Sequence, residues 1–152
     1  MFREMTKEDK NLFIALSKEF YASDAVMKPI PEAFHIQTFE ECMRSNQYLL
    51  CYIIEWEGQA AGFAMLNKTF QHEAGGYILW LEEFYVRKEF RSKGLGRAFL
   101  SYLEHFLQED IRWLRLEVEP YNKRAIQLYE VFGYEKLPYF SMAKTRKEEK
   151  RE

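Results

Sequence analysis

The chain has few of the residues and patterns that mark several classes of protein. Its 152 residues include only two cysteines, Cys42 and Cys51, too few for a disulfide framework or a four-cysteine metal site. The 22 basic and 24 acidic side chains leave a net charge of −2, so no overall positive charge attracts nucleic acid. No apolar run approaches the ~20 residues of a membrane span, and the charged first ten residues are unlike a signal peptide. These absences predict a reduced, cytoplasmic protein that binds neither membranes nor nucleic acid.

Proline and glycine are also scarce, whereas aromatic residues are plentiful. The 4 prolines and 7 glycines predict few irregular segments, and the 13 phenylalanines, 10 tyrosines and 3 tryptophans can fill a core. The length suits one domain. We therefore expect a single domain over residues 1–144, followed by a charged tail over residues 145–152.

Hydrophobic periodicity predicts an α/β (α+β) fold. The predicted strands cover residues 1–5, 48–56, 60–70, 77–86, 113–118 and 134–144, and the predicted helices begin after Thr6, at about Glu32, near Leu95 and at Asn122. The strand–helix–strand step from 77 to 118 requires a parallel crossover, whereas the three consecutive strands before it read as antiparallel. We expect a mixed, mostly antiparallel central sheet of about six to seven strands with helices on both faces.

The strongest functional signal lies between the strand that ends at Val86 and the next helix. Its sequence is Arg91-Ser92-Lys93-Gly94-Leu95-Gly96-Arg97, which contains the pattern Arg-x-x-Gly-x-Gly. Two glycines at this spacing let the backbone curl with its N–H groups pointing one way, and a helix N-terminus adds partial positive charge. Together with three basic side chains, this pattern predicts a pyrophosphate site. It matches neither the nucleoside-triphosphate loop nor the three-glycine dinucleotide fingerprint.

A second pattern follows the next predicted strand. It reads Asn122-x-x-Ala125-x-x-Leu128-Tyr129-x-x-x-Gly133-Tyr134. Asn122 and Tyr129 are seven residues apart and therefore share one helix face. Ala125 leaves room for a close approach, and Gly133 suits a helix end.

Together the two patterns, over about residues 77–134, resemble those of the GNAT superfamily of N-acetyltransferases. One departure is Lys88, where such proteins commonly have proline. The resemblance implies a GNAT-like fold and acetyl-CoA as co-substrate, with no metal. It implies that the backbone of Phe84, Tyr85 and Val86 pairs with the pantetheine arm, that Asn122 contacts this arm, and that Tyr129 lies near the sulfur. The main-chain N–H groups from Arg91 to Arg97 would hold the pyrophosphate.

Acetyl transfer to an amine requires a base, because a lysine-like amine with a pKa of ~10.4 is protonated at neutral pH. Glu82 and Glu83 precede Phe84 in the strand, and a carboxylate acting through a water is a suitable base. Adjacent strand residues point to opposite faces, so only one of the two can face the substrate. An unbroken strand puts Glu82 on the face of Phe84 and Val86, whereas a bulge would exchange the faces. We therefore prefer Glu82 and keep Glu83 as the alternative.

Two further roles complete the predicted mechanism. The N–H of Val86 is a candidate donor to the developing oxyanion. Tyr129 is the candidate general acid for the leaving thiolate, since a phenol of pKa ~10 can protonate a thiolate.

The acceptor is predicted only as a primary amine of a small molecule or a peptide. The resemblance implies that residues 20–45 line its pocket, and Glu117 and Glu119 would extend an acidic mouth. The candidates in the first region are Phe20, Tyr21, Asp24, Phe34, His35, Phe39, Glu40 and Glu41. Two alternatives remain, a non-catalytic CoA-binding or regulatory module and a transferase for another acyl group. The sequence is also compatible with a homodimer.

Overall fold

The computed structural model of the chain describes residues 1–26 and 28–147. Five strands and four α-helices follow one another in this part of the chain, with short 3-10 turns between some of them. The strands are β1 (Phe2–Glu4), β2 (Leu49–Trp56), β3 (Gln59–Gln71), β4 (Gly76–Val86) and β5 (Ile111–Leu116); the helices are α1 (Lys10–Tyr21), α2 (Glu32–Arg44), α3 (Leu95–Leu103) and α4 (Lys123–Val131). Within the described ranges, no helix combines the length and the apolar character that a bilayer crossing requires.

The strands form one open sheet in the order β1-β2-β3-β4-β5. Neighbours from β1 to β4 are antiparallel, and β5 pairs parallel to β4 after the crossover through α3. A tight turn joins β2 to β3 at Glu57 and Gly58, whose φ angles of 49° and 78° match the twist of a two-residue hairpin. The predicted mixed, mostly antiparallel sheet is therefore confirmed.

Helices cover both faces of the sheet, as predicted. On the first face, Phe13 and Leu16 of α1 and Phe39 of α2 pack against Ile53 and Phe63. The second face is covered by α3, whose apolar residues repeat at helical spacing. The buried members of that second cluster are Tyr52, Ile54, Ala61, Ala64, Leu66, Leu79, Leu95, Phe99, Leu100, Leu103 and Ile111. We call these two sides the α1/α2 face and the α3 face.

The predicted count of six to seven strands is not confirmed, because the described sheet has five. The predicted last strand over Tyr134–Lys144 is wrong, since none of these residues lies in a strand. Alternating apolar residues stabilise a strand when one face of it is buried. Here Phe140 and Met142 are 86% and 88% exposed, so burial does not favour pairing. Of the predicted tail, residues 148–152 lie outside the described residues.

Candidate active site

The parallel strands β4 and β5 separate toward one end. Their pairing ends at Leu81 and Leu116, whereas residues 82–86 of β4 continue along β3. The strand end is therefore hydrogen-bonded on one side and leaves its other edge unpaired. Such an edge can bind an extended ligand as a further strand.

The open edge carries the backbone groups of alternate residues. The N–H of Arg87 donates to the carbonyl oxygen of Ala61 in β3 at 2.7 Å. Because successive residues of a strand direct their N–H groups to alternate edges, the N–H of Val86 points to the open edge, and so does that of Phe84. The carbonyl oxygen of Val86 accepts from Nε of Arg91 at 2.9 Å, which agrees with this direction.

A close approach of β3 holds this end of β4 in place. Gly62 pairs with Val86, and a Cβ atom on Gly62 would lie 1.9 Å from the carbonyl oxygen of Tyr85. The two backbones are therefore closer than any other residue at position 62 permits. The sequence pattern contained no signal for this requirement.

A β-bulge in β4 falls on the candidate bases. Met65 pairs with Glu83 whereas Leu66 pairs with Leu81, so Glu82 has no pairing partner in β3. The extra residue shifts the alternation of side chains along the strand by one position. The bulge that the sequence analysis allowed for is present.

The bulge brings both carboxylates to the α1/α2 face. Glu83 contacts Tyr21 of α1, and Glu82 lines a groove beside Trp80 on the same side of the sheet. Beyond the bulge, Phe84 and Val86 pack on the α3 face. The expectation that only one glutamate can face the site is therefore wrong, and Glu82 does not share the face of Phe84 and Val86.

The groove beside β4 has a volume of about 340 Å³. Its lining consists of Asn67, Trp80, Leu81, Glu82, Glu117 and Ser141. Partial burial raises the pKa of Glu82, and the charge of Glu117 raises it further. The hydroxyl of Ser141 donates to Oε2 of Glu117 at 2.5 Å, which ties the C-terminal segment to this wall. Two carboxylates and an indole suit a positively charged ligand.

Glu83 lies deeper than Glu82, beneath α1. The hydroxyl of Tyr21 donates to its Oε2 at 2.5 Å. Burial raises the pKa of Glu83, the hydrogen bond from Tyr21 lowers it, and the charge of Glu82 raises it again. The net direction is upward, which makes this carboxylate a stronger base than a solvated glutamate.

Two residues of the predicted acceptor region support this contact. The ring of Tyr21 packs edge-on against His35, with centroids 5.7 Å apart. Nδ1 of His35 is 2.7 Å from Oγ of Ser17, and both side chains are buried. Burial lowers the pKa of His35, which favours the neutral imidazole. Other candidates of that region lie elsewhere, since Phe39 is in the core and Glu41 pairs with Arg44 on the surface.

A second network ties α1 to the end of β4. Nη2 of Arg87 lies 2.9 Å from Oε2 of Glu19, and Nε of Arg87 contacts the same carboxylate. The hydroxyl of Tyr85 also donates to Glu19, at 3.2 Å. Because α1 and β4 are far apart in sequence, the sequence analysis missed both Glu19 and Arg87.

The glycine loop leads directly into α3. Gly94 precedes α3 with a φ of 77°, a left-handed conformation that glycine adopts without strain. The N–H groups of the first turn of α3 therefore begin directly after the loop. Lys93 and Arg97 are exposed and lie over aromatic rings, at 5.7 Å from Trp56 and 5.9 Å from Phe132.

The residues of the second pattern lie on and before α4. Asn122 caps the helix, and its side chain accepts from the N–H of Ala125 at 3.2 Å. Tyr129 packs at the edge of the α3-face cluster, 5.9 Å from the ring of Tyr134. Burial raises the pKa of Tyr129, so its hydroxyl keeps its proton at neutral pH. The candidate acid and the candidate bases thus lie on opposite faces of the sheet. The open edge of β4 lies between these two faces.

Several residues of the groove were missed by the sequence analysis. Trp80 could have been found, because it stands two positions before Glu82 in the same strand. Asn67 and Ser141 required the strand register and the path of the C-terminal segment. For metals, the described ranges contain no group of three or more His, Cys, Asp or Glu side chains able to hold an ion.

The family model described as the acetyltransferase (GNAT) family matches residues 12–134, which is more than half of the chain. The chain belongs to the GNAT acetyltransferase family. The match confirms the resemblance seen in the two sequence patterns. As a member of this family, the protein is an acetyltransferase enzyme.

Two curated relatives are similar in sequence to part of this acetyltransferase. The uncharacterized N-acetyltransferase YhfO of Bacillus subtilis is 31% identical over 65% of this chain and 67% of its own. The spermine/spermidine N(1)-acetyltransferase of the same species is 31% identical over 53% of this chain, and the match spans about half of that relative, 55%.

A solved structure shares the fold of this GNAT protein. An aminoglycoside N-acetyltransferase in complex with CoA has a TM-score of 0.75 and 19% identity, over 96% of this chain and 94% of that one. At this identity the likeness concerns the fold alone.

Proposed function

We propose that this protein transfers the acetyl group of acetyl-CoA to a primary amino group of a small molecule that carries several positive charges. One observation carries the proposal: the bulge in β4 brings Glu82 and Glu83 to one face, beside an acidic groove and next to the open edge that leads into the glycine loop. This arrangement supplies proton acceptors at the place where a donor and an acceptor would meet.

The donor site would consist of the open edge and the loop. The N–H of Val86 and the backbone of Phe84 and Tyr85 would hold the pantetheine arm, and the N–H groups from Arg91 to Arg97 would hold the pyrophosphate. The unpaired edge and the left-handed Gly94 fit this ligand. When bound, acetyl-CoA supplies an activated thioester carbonyl. Asn122 caps α4 and would contact the arm from that helix end.

The chain's own side chains would then move the protons. Glu82 or Glu83, both with raised pKa values, would accept the proton of the amine through a water. The N–H of Val86 would donate to the developing oxyanion. Tyr129, protonated at neutral pH, would donate its proton to the departing sulfur.

The groove favours an acceptor with more than one positive charge. Glu117 faces Glu82 across it, so a second carboxylate remains for binding when one glutamate acts as base. Trp80 adds an aromatic wall. Two of the similar proteins, a spermine/spermidine acetyltransferase and an aminoglycoside acetyltransferase, are named for substrates of this polycationic class.

Thiol release from acetyl-CoA tests this proposal. The acceptors would be spermine, an aminoglycoside, a lysine-containing peptide and a singly charged alkylamine. We expect kcat/KM to be about fivefold higher for the polycations than for the alkylamine, as one additional exposed charge contact is worth up to about 1 kcal/mol. Calorimetry of acetyl-CoA binding is run in parallel.

Each contrary outcome identifies a different error. Binding of acetyl-CoA without turnover of any amine would contradict the proposed acetyl transfer and favour a CoA-binding module. Turnover with propionyl-CoA but not with acetyl-CoA would contradict the proposal that the transferred group is acetyl. Preference for the peptide would contradict the small-molecule acceptor.

A further inference from the structure

Glu82 and Glu83 share a face but differ in their surroundings. Glu82 is exposed in the groove and stands opposite Glu117. Glu83 is half-buried, and the hydroxyl of Tyr21 fixes one of its oxygens at 2.5 Å. A base must be held within reach of its proton, and this hydrogen bond holds Glu83 in place.

Tyr21 is itself held by its neighbours. Its ring contacts Phe20, at 5.2 Å between centroids, and His35, at 5.7 Å. His35 is buried and bonded to Ser17, so the packing joins the inner side of α1 and α2 to the carboxylate. The hydroxyl therefore meets Glu83 from a rigid element rather than from a loop.

We propose that Tyr21 is a positioning residue that holds Glu83 at the open end of β4, so that Glu83 is the proton-accepting member of the pair. The inference rests on the proposed acetyl transfer. Glu82 then remains charged in the groove and attracts the acceptor. This division of roles replaces the preference for Glu82 that an unbroken strand suggested.

The groups that face Glu83 act on its pKa together with its burial. They are Tyr21 from α1, Glu82 within β4, Cys42 from α2 and Cys51 from β2, and Glu117, which follows the end of β5, acts on Glu82. Burial is the largest cause of the raised pKa of Glu83. The thiols are neutral in acid, so among the neighbouring groups Tyr21 and Glu82 act on the acid limb. The hydrogen bond from Tyr21 lowers the pKa of Glu83 and the charge of Glu82 raises it.

The Tyr21→Phe variant tests the proposal because it removes the hydroxyl and keeps the ring. We expect kcat to fall about tenfold, a fraction of what a general base contributes. The acid limb of kcat/KM should move to higher pH, since the bond that favours the ionised form is lost. The Kd of acetyl-CoA should be unchanged. Tyr77→Phe is the matched control, because Tyr77 lies six residues before Glu83 in β4, about 20 Å from it.

Two glutamine variants separate the carboxylates. Glu83→Gln should lose at least about tenfold more kcat than Glu82→Gln. Glu82→Gln should move the acid limb to lower pH, because a negative neighbour of Glu83 is removed. Equal losses in the two variants, or a wild-type pH profile in Tyr21→Phe, would overturn the proposal.

A readout without turnover separates this inference from the proposed function. Carbon-13 NMR titration of the Glu83 carboxyl in the ligand-free protein should give a higher pKa in Tyr21→Phe than in the wild type. An unchanged pKa would refute the Tyr21 contact even if acetyl transfer is observed. A raised pKa in a protein that acetylates no amine would refute the proposed function instead.

Discussion

Gly62→Ala is the substitution whose cost the structure defines best. The added Cβ would lie 1.9 Å from the carbonyl oxygen of Tyr85 and 3.0 Å from Cα of Val86, and both are backbone atoms that cannot rotate away. An ordinary carbon–oxygen contact is about 3.3 Å, so β3 and β4 must separate by more than ~1 Å.

The expected cost has two parts. Overpacking of a rigid site costs about 1–3 kcal/mol. The bond from the N–H of Arg87 to Ala61, now 2.7 Å, would be stretched or lost at about 1 kcal/mol. Unfolding free energy should therefore fall by about 2–4 kcal/mol, which lowers Tm by about 10 °C in a domain of this size.

Urea and thermal unfolding measure this change, with Gly58→Asn as the control. Gly58 has a positive φ of 78° and no heavy atom within 4 Å of an added Cβ, so asparagine should cost less than about 1 kcal/mol there. Because the separation also displaces the open edge at Val86, the Kd of acetyl-CoA should rise about tenfold or more. If Gly62→Ala is as stable as the control, the close approach of β3 and β4 is not what holds this strand end.

Three further predictions concern the acid, the groove and the N-terminus. Tyr129→Phe should lower kcat about 10- to 100-fold while the Kd of acetyl-CoA stays within about twofold, as measured by steady-state kinetics and calorimetry; an unchanged kcat would contradict its role as general acid. Glu117→Gln should raise KM for spermine by about fivefold and leave kcat within about twofold, and added salt should shrink the difference; equal KM values at low salt would count against the acidic groove. Arg3 lowers the pKa of Asp9 from 3.8 to about 2, so this pair stabilises the fold above the unfolded pKa and the stabilisation, roughly 1–2 kcal/mol, is lost as pH falls toward 2. Urea unfolding between pH 6 and 2 should accordingly show a shallower pH dependence for Asp9→Asn than for the wild type.

Much of the fold was predictable because its signals are local. The periodicity of the helices, the Glu57-Gly58 turn and the glycine before α3 each follow from residues adjacent in sequence. The last strand was mispredicted for the same reason. Alternation at residues 134–144 is a local pattern, but pairing requires a partner edge and a buried face that only the tertiary structure can supply.

The site divides in the same way. The Arg-x-x-Gly-x-Gly loop and the Asn122–Tyr134 pattern were by themselves sufficient to predict the family. The loop also gives the place of the proposed anion site, because a loop and a helix start can make such a site within one segment. The arrangement of the carboxylates was decided by tertiary structure. A bulge of one residue in the register of β3 against β4 reversed the expected face of the strand end, and the bond from Tyr21 to Glu83 joins residues 62 positions apart. Register and long-range contact depend on how whole elements pack, and no pattern within a single strand contains that information.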